Sequence, residues 1–306
     1  MESRRPNLLR VGATLALDSL TGELVSALGD ASIATIVLKG PALEQRLYGA
    51  GESRTHDDID LLAAHSDLKR AEDLLHGLGF RYAAESEHAR AWIRERDGIT
   101  VDLHKTLIGI GVSPAEAWSV LSAETEPMRV GRASLNVLNP SATALHVALH
   151  AAQHGALGSR PAEDLKRAVE RLPEQVWTRA AELAVQLAAL PAFAAGLRLD
   201  PHGAELASAL GLSGGGSVET ALRIASPPVT ALGIQRLATT PGMRGKAAFL
   251  MQELVPPATF MRAVFPFARR VRLGLAATYL WRPWWLAWHA GPALRAWRRA
   301  RRQAGT

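Results

Sequence analysis

Asp58 and Asp60 stand two residues apart in Arg54-Thr55-His56-Asp57-Asp58-Ile59-Asp60-Leu61-Leu62. Side chains of a β-strand alternate between faces, so both carboxylates point the same way while Ile59 and Leu61 turn to the core. Two carboxylates side by side repel unless a cation neutralises them. A hard divalent ion with oxygen ligands, above all Mg2+ carried with substrate phosphates, suits that arrangement. Thr100-Val101-Asp102-Leu103-His104 repeats the alternation, with Asp102 and His104 on one face and Val101 and Leu103 buried. Three acidic groups on adjacent strands can hold two metal ions about 3.5–4 Å apart, clamping the attacking and leaving oxygens of an in-line phosphoryl displacement. An Asp-x-Asp pair also occurs at solvated strand edges and turns. The Lys39-Gly40 step upstream and Asp102 downstream favour the chemical reading.

Lys39 and Gly40 follow the β-branched apolar run Ile33–Leu38, and Pro41 suits the first turn of a helix. Gly40 would let the backbone approach a triphosphate closely, and amides at the helix start favour an anion. Lys39 would place a point charge on the phosphates; its alternative is an ordinary surface lysine at a strand end. Arg54 is within reach of Asp57, of the phosphates or of the carboxylates, and the sequence does not choose among them. His146, His150 and His154 recur every four residues in Thr143–His154 and form one helical stripe. Such a stripe binds a transition metal or lines a cleft as a polar face.

The set Leu38-Lys39-Gly40-Pro41-Ala42-Leu43, Leu47-Tyr48, Arg54, Asp58-Ile59-Asp60-Leu61-Leu62 and Asp102-Leu103-His104 resembles the uncharacterised bacterial nucleotidyltransferase family of the DNA polymerase beta-like superfamily. Residues 30–105 carry the resemblance. It departs from the superfamily where Lys39-Gly40 replaces the commoner Gly-Ser or Gly-Gly, and in the longer spacing from Gly40 to Asp58. The resemblance implies that Asp58, Asp60 and Asp102 are catalytic and bind metal, two Mg2+ ions in all. It implies also an NTP co-substrate held by Lys39, Gly40 and Arg54. Family members carry a His-Ala-x-x-His helix followed by an Asp-Leu segment, here His150-Ala151-Ala152-Gln153-His154 and Asp164-Leu165. This assigns His150 and His154 to the nucleotide or the acceptor, with structural packing as the competing account.

These residues need elements to position them. A helix over 8–29, a strand over 33–38, a helix over 41–49 and the acidic strand over 58–63 are expected, then a helix from Ser66-Asp67 to about Leu78, stopped by Gly79. Phe80–Ala84, Ala91–Arg96 and Thr100–Leu103 read as strands, with Asp97-Gly98 turning between the last two. Residues 113–122 read as a short helix and Ala133–Leu138 as a strand-like run. The expectation is a sheet of four or five strands with helices on one side. From Pro140, with Ser141 as a cap, the pattern is helical throughout, broken near Pro173 and Pro191 and by Ser213-Gly214-Gly215-Gly216-Ser217. The fold class is α/β (α+β): a small mixed sheet with helices, residues 1–139, an all-helical domain, 140–255, and basic Arg/Trp-rich helices, 256–306.

The chain has 306 residues, 48% of them hydrophobic, and no cysteine. It can bury a full core, disulfides and thiolate metal sites are excluded, and a reducing compartment is permitted. Arg10 and Asp18 interrupt any signal-peptide pattern, so a cytoplasmic protein is expected. From Leu254 onward there are ten arginines and no Asp, Glu or Lys, so the net charge of +6 belongs to the tail. Trp281, Trp284, Trp285, Trp288 and Trp297 share that stretch. Arg272 and Arg282 argue against a transmembrane helix. The composition suits an anionic membrane surface or an acidic partner, or two helices whose tryptophans pack inward. The expected activity is Mg2+-dependent transfer of a nucleoside monophosphate from an NTP to an unidentified acceptor, a small molecule, peptide or protein. The alternative is a non-catalytic partner protein that has kept the fold.

Overall fold

The computed structural model describes residues 8–49, 52–155, 160–212, 218, 221–222, 230–265, 267–270 and 272–303. The Ser213–Ser217 loop expected from the sequence lies outside them. Two compact units divide the chain, Met1–Gly214 and Gly215–Thr306. Strands give way to helices at the expected 139/140 division, helices stand on both sides of the expected 255/256 division, and the compact units part at 214/215.

In the first unit α1 (Leu8–Asp30) leads into β1 (Thr35–Val37), α2 (Pro41–Leu47) and β2 (Asp58–Ala63). α3 (Leu68–Gly77), β3 (Arg81–Glu85), β4 (Ala89–Arg94) and β5 (Ile99–His104) follow, then α4 (Pro114–Ala123), β6 (Thr125–Val130) and β7 (Ala133–Leu138). The strands form one mixed sheet of seven in the order β3-β4-β5-β2-β1-β7-β6. β2 runs parallel to β5 and antiparallel to β1, and β1 runs parallel to β7.

The count of seven corrects the expected four or five. β6 escapes a sequence reading because Thr125-Glu-Pro-Met-Arg-Val does not alternate cleanly and contains Pro127. Proline is tolerated there because β6 is an edge strand, paired only with β7. The helices also cover both faces rather than one. Leu17, Leu20, Leu24 and Leu28 of α1 pack with Ile59, Leu61, Val101 and Leu103 on one side. Ile36, Leu38 and Leu62 meet a helical layer on the other. Strand alternation thus sends Asp58 and Asp60 to the Leu62 face, toward that layer.

The layer comprises α5 (Pro140–His154), α6 (Arg160–Arg171), α7 (Glu174–Gln186), α8 (Leu190–Leu197) and α9 (Pro201–Ala209). Asn139, not Ser141, caps α5, its side-chain oxygen accepting from the Ala142 amide at 3.0 Å. Pro173 caps α7 and Pro191 sits in the first turn of α8, so both start helices as well as ending them. α8 lies against α5 at Gly196, where a Cβ atom would stand 2.0 Å from the Ala148 carbonyl oxygen. Asp67 likewise gives no side-chain cap to α3; it pairs with Arg70 at 2.8 Å.

The second unit contains α10 (Ala231–Thr239), α11 (Gly242–Leu254), α12 (Ala258–Val264), α13 (Phe267–Arg270) and α14 (Arg272–Gln303). Its small core gathers Val218, Leu222, Ala231, Ala293 and Ala300, with Trp297 packed against it and bonded to Gln235 at 2.7 Å. The tryptophan-rich stretch is one helix, running through Pro283 and Pro292.

Candidate active site

The parallel register of β2 and β5 sets Asp60 directly beside Asp102 and Asp58 beside Thr100. Above them the histidine stripe of α5 faces the sheet, and between the two lies a cavity of about 320 Å3. Asp58, Asp102, His104, Lys39 and Arg54 line its sheet side; His146, His150 and His154 line the α5 side, with Leu107, Ile108 and Leu149 as apolar wall.

Asp60 sits behind this cavity, nearly inaccessible. Its Oδ1 accepts from Lys39 Nζ at 2.8 Å and from His104 Nε2 at 2.9 Å. Its Oδ2 is buried without a hydrogen-bond partner. Burial alone would raise the Asp60 carboxyl, but the His104 hydrogen bond and the charge of Lys39 hold it well below the usual carboxylate range. Asp58 and Asp102 move the opposite way, pushed up by burial and then by the charge of Asp60. One carboxylate is therefore firmly ionised and two are held reluctantly so.

Asp60, Asp102 and His104 each offer a ligand atom, all within 4.8 Å of one another. Asp58 stands outside that cluster but opens onto the same cavity. The unpartnered Asp60 Oδ2 and the carboxylates of Asp102 and Asp58 suit a hard divalent ion; the His104 nitrogen suits it less well.

Arg54 does not pair with Asp57, whose contact is Arg160 at 3.4 Å. Its guanidinium instead grips Asp164 of α6 in a fork, Nε to Oδ1 at 2.9 Å and Nη2 to Oδ2 at 2.8 Å, and Tyr48 Oη donates to the same Oδ1 at 2.8 Å. Arg54 and Asp164 are 4% and 1% exposed, so this is a buried, fully hydrogen-bonded pair. It pins the segment leading into β2 to the helical layer. Gly40 is not among the residues that line the cavity. It has φ +60°, and a Cβ atom there would lie 3.2 Å from the His56 ring, whose Nε2 is 3.0 Å from Asp18 Oδ1.

His146 is buried and neither ring nitrogen has a hydrogen-bond partner. Its ring stacks on His150, centroids 5.8 Å apart and planes within 6°, and His150 meets His154 edge-on at 4.7 Å. Burial, then the positive charge of Lys39, drives His146 down to about 3 and His150 well below its ordinary value. Both rings are neutral at pH 7, so the stripe supplies hydrogen-bonding groups without charge.

Residues 10–202 match the model of the family described as uncharacterised nucleotidyltransferase. The chain belongs to this family. It is a nucleotidyltransferase whose family region spans the whole sheet and the helices from α5 to α8, well beyond the 30–105 of the motif resemblance. A comparison with curated proteins finds no match. Among solved structures, the antibiotic-resistance factor ANT(2'')-Ia is similar in its solution structure, at 18% identity over 57% of this chain and 95% of that one with a TM-score of 0.45. Its crystal structure with adenylyl-2''-tobramycin gives 17% identity, 56% and 98% coverage and 0.44. An antigenic nucleotidyltransferase-like protein from Paracoccidioides brasiliensis gives 16%, 64% and 93%, and 0.37. The family assignment rests on the sequence match alone.

In this nucleotidyltransferase the residues that a sequence reading leaves without a role are His104, Asp164, Tyr48 and His146. Their signals were present: the period-two step from Asp102 to His104, the Leu47-Tyr48 and Asp164-Leu165 pairs, and the four-residue step from His146 to His150. For His104, Tyr48 and Asp164 the signal does not reveal the partner, which lies between 44 and 116 residues away in the chain.

Proposed function

We propose that the chain transfers a nucleoside monophosphate from an NTP to an acceptor hydroxyl or similar nucleophile. The bond from the acceptor oxygen to the α-phosphorus forms as the α–β phosphoanhydride bond breaks, and pyrophosphate leaves. The observation that carries this reading is the register that sets Asp60 beside Asp102, with Asp58 and Lys39 opening onto the same cavity. Asp60, Asp102 and Asp58 would hold Mg2+, and a pair of ions is the reading that three carboxylates favour. When bound, the metal neutralises the triphosphate and sharpens the acceptor oxygen as a nucleophile.

The remaining steps belong to side chains. Lys39, now tied to Asp60, is placed to swing its ammonium onto phosphate oxygens. Asp102, whose carboxyl is pushed up by burial, is suited to take the acceptor proton. Arg54, its charge balanced by Asp164, borders the cavity and would offer its remaining guanidinium N–H groups to a phosphate oxygen. The neutral His146–His150 stack, with His154, offers hydrogen bonds to the base or the acceptor.

Incubation with NTPs labelled at the α- or the γ-phosphate, in the presence of a metabolite extract, tests the reading. The α label should move to a new acceptor while the γ label appears in pyrophosphate. An α label found only in free nucleotide, with the γ label in pyrophosphate or phosphate, would replace transfer by hydrolysis.

A further inference from the structure

Among the described residues, large exposed apolar side chains concentrate in the second unit. Only Leu15, Leu78, Tyr82 and Val185 lie elsewhere. The second unit exposes ten, although it holds less than a third of the chain. Four of them, Leu280, Trp281, Trp284 and Trp288, are 80%, 58%, 74% and 84% exposed and share one face of α14. The opposite face buries Arg282, Ala293 and Ala300. Arg282 is 4% exposed, its guanidinium turned inward to the backbone carbonyl and carboxylate of Glu253. A helix facing water has the reverse arrangement, with arginine outside and tryptophan inside. Further along, the same exposed face changes character: Arg295, Arg298, Arg299 and Arg302 are all exposed and continue the stripe.

We infer that α14 is a membrane-surface helix. Its Leu280–Trp288 face enters the interfacial layer of an anionic bilayer, and the arginines from Arg295 onward bind lipid headgroups. Charge selects this occupant. From Leu254 to the C-terminus every charged residue is an arginine, so a second copy meeting the same face would set like charges against each other. An acidic protein would also accept tryptophan and arginine, but the stretch from Leu280 to Trp288 presents no exposed charge for acidic side chains to pair with, Arg282 being turned inward, and such an apolar stretch followed by arginines matches a lipid interface and its headgroups. No helix among the described residues is long and apolar enough to cross a membrane, and the geometry is that of a helix lying on the surface.

Co-sedimentation of the full chain with phosphatidylcholine vesicles, with and without phosphatidylglycerol, tests the proposal. The protein should pellet with the anionic vesicles and progressively less so as salt rises. The exposed triple variant Trp281→Ala/Trp284→Ala/Trp288→Ala should keep the parent's circular dichroism and lose at least about tenfold in partitioning. Arg295→Gln/Arg298→Gln/Arg299→Gln should lose the preference for phosphatidylglycerol by a similar factor or more. A folded parent that ignores both vesicle types overturns the proposal, as does a tryptophan variant that binds like the parent. Retention on polyglutamate without vesicle binding would replace the membrane by an acidic partner. A lipid-free dimer that the tryptophan variant abolishes would replace it by a second copy.

Discussion

Asp58→Asn and Asp102→Asn are each expected to lower turnover by at least about 10^2–10^3-fold, the scale for removing one electrostatic stabiliser of a transition state. The metal-free protein should meanwhile be at least as stable as the parent. Burial and the neighbouring Asp60 raise both carboxyls, so ionising either in the native state works against folding. Such a group binds its proton more tightly folded than unfolded, and the native state loses stability as pH rises from the unfolded value through the raised folded one. Asn removes that penalty.

Asp60→Asn should lose activity equally but behave oppositely in stability. The Asp60 carboxyl is lowered by His104 and Lys39, so its contribution is fully present above the unfolded value of about 3.9 and disappears as pH falls through the lower folded value. At neutral pH the Asn variant leaves Lys39 without its partner at 2.8 Å and should melt below the parent. Thermal melts at pH 7.5 without divalent ions, beside turnover assays, check both halves. Equal melting losses in all three variants would show that the carboxylates are structural.

Asp164→Ala is expected to destabilise the first unit by about 3–5 kcal/mol, the range for breaking a buried ion pair by removing one partner. The Arg54 guanidinium and the Tyr48 hydroxyl would both lose the carboxylate that they share. For a unit of this size the melting temperature should fall by roughly 10 °C. The double variant Arg54→Met/Asp164→Leu should recover most of that stability, because a buried pair replaced by apolar groups leaves no unpaired charge. Its turnover should stay low, since Arg54 would no longer stand at the cavity. If the double variant melts no higher than the single one, the loss comes from packing around Tyr48.

These two predictions separate what the sequence makes legible from what it hides. The carboxylates are legible because strand alternation is local: Asp58, Ile59 and Asp60 carry their geometry in three residues, and Asp102-Leu103-His104 repeats it. The same alternation on both strands puts Asp60 and Asp102 on one face, whereas their pairing side by side is a property of the fold, since a two-residue shift would keep the pattern. The Arg54–Asp164 clamp is not legible, since 110 residues separate its halves and any nearby acid, Asp57 included, looks as suitable. β6 was hidden by Pro127, and the second helical face because no local pattern says which face of the sheet a helix covers. The histidine stripe could be read as a stripe. Its burial opposite the carboxylates depends on how α5 packs over the sheet, which no local pattern records.

The most direct test of the nucleotidyltransferase site is a calorimetric titration of the full chain with a non-hydrolysable NTP analogue, with and without Mg2+, beside the Asp58→Asn/Asp60→Asn variant. Binding that requires Mg2+ and is lost in a variant that remains folded is the predicted result. Equal binding without Mg2+, or by the variant, would contradict a carboxylate-held metal and the transfer chemistry built on it.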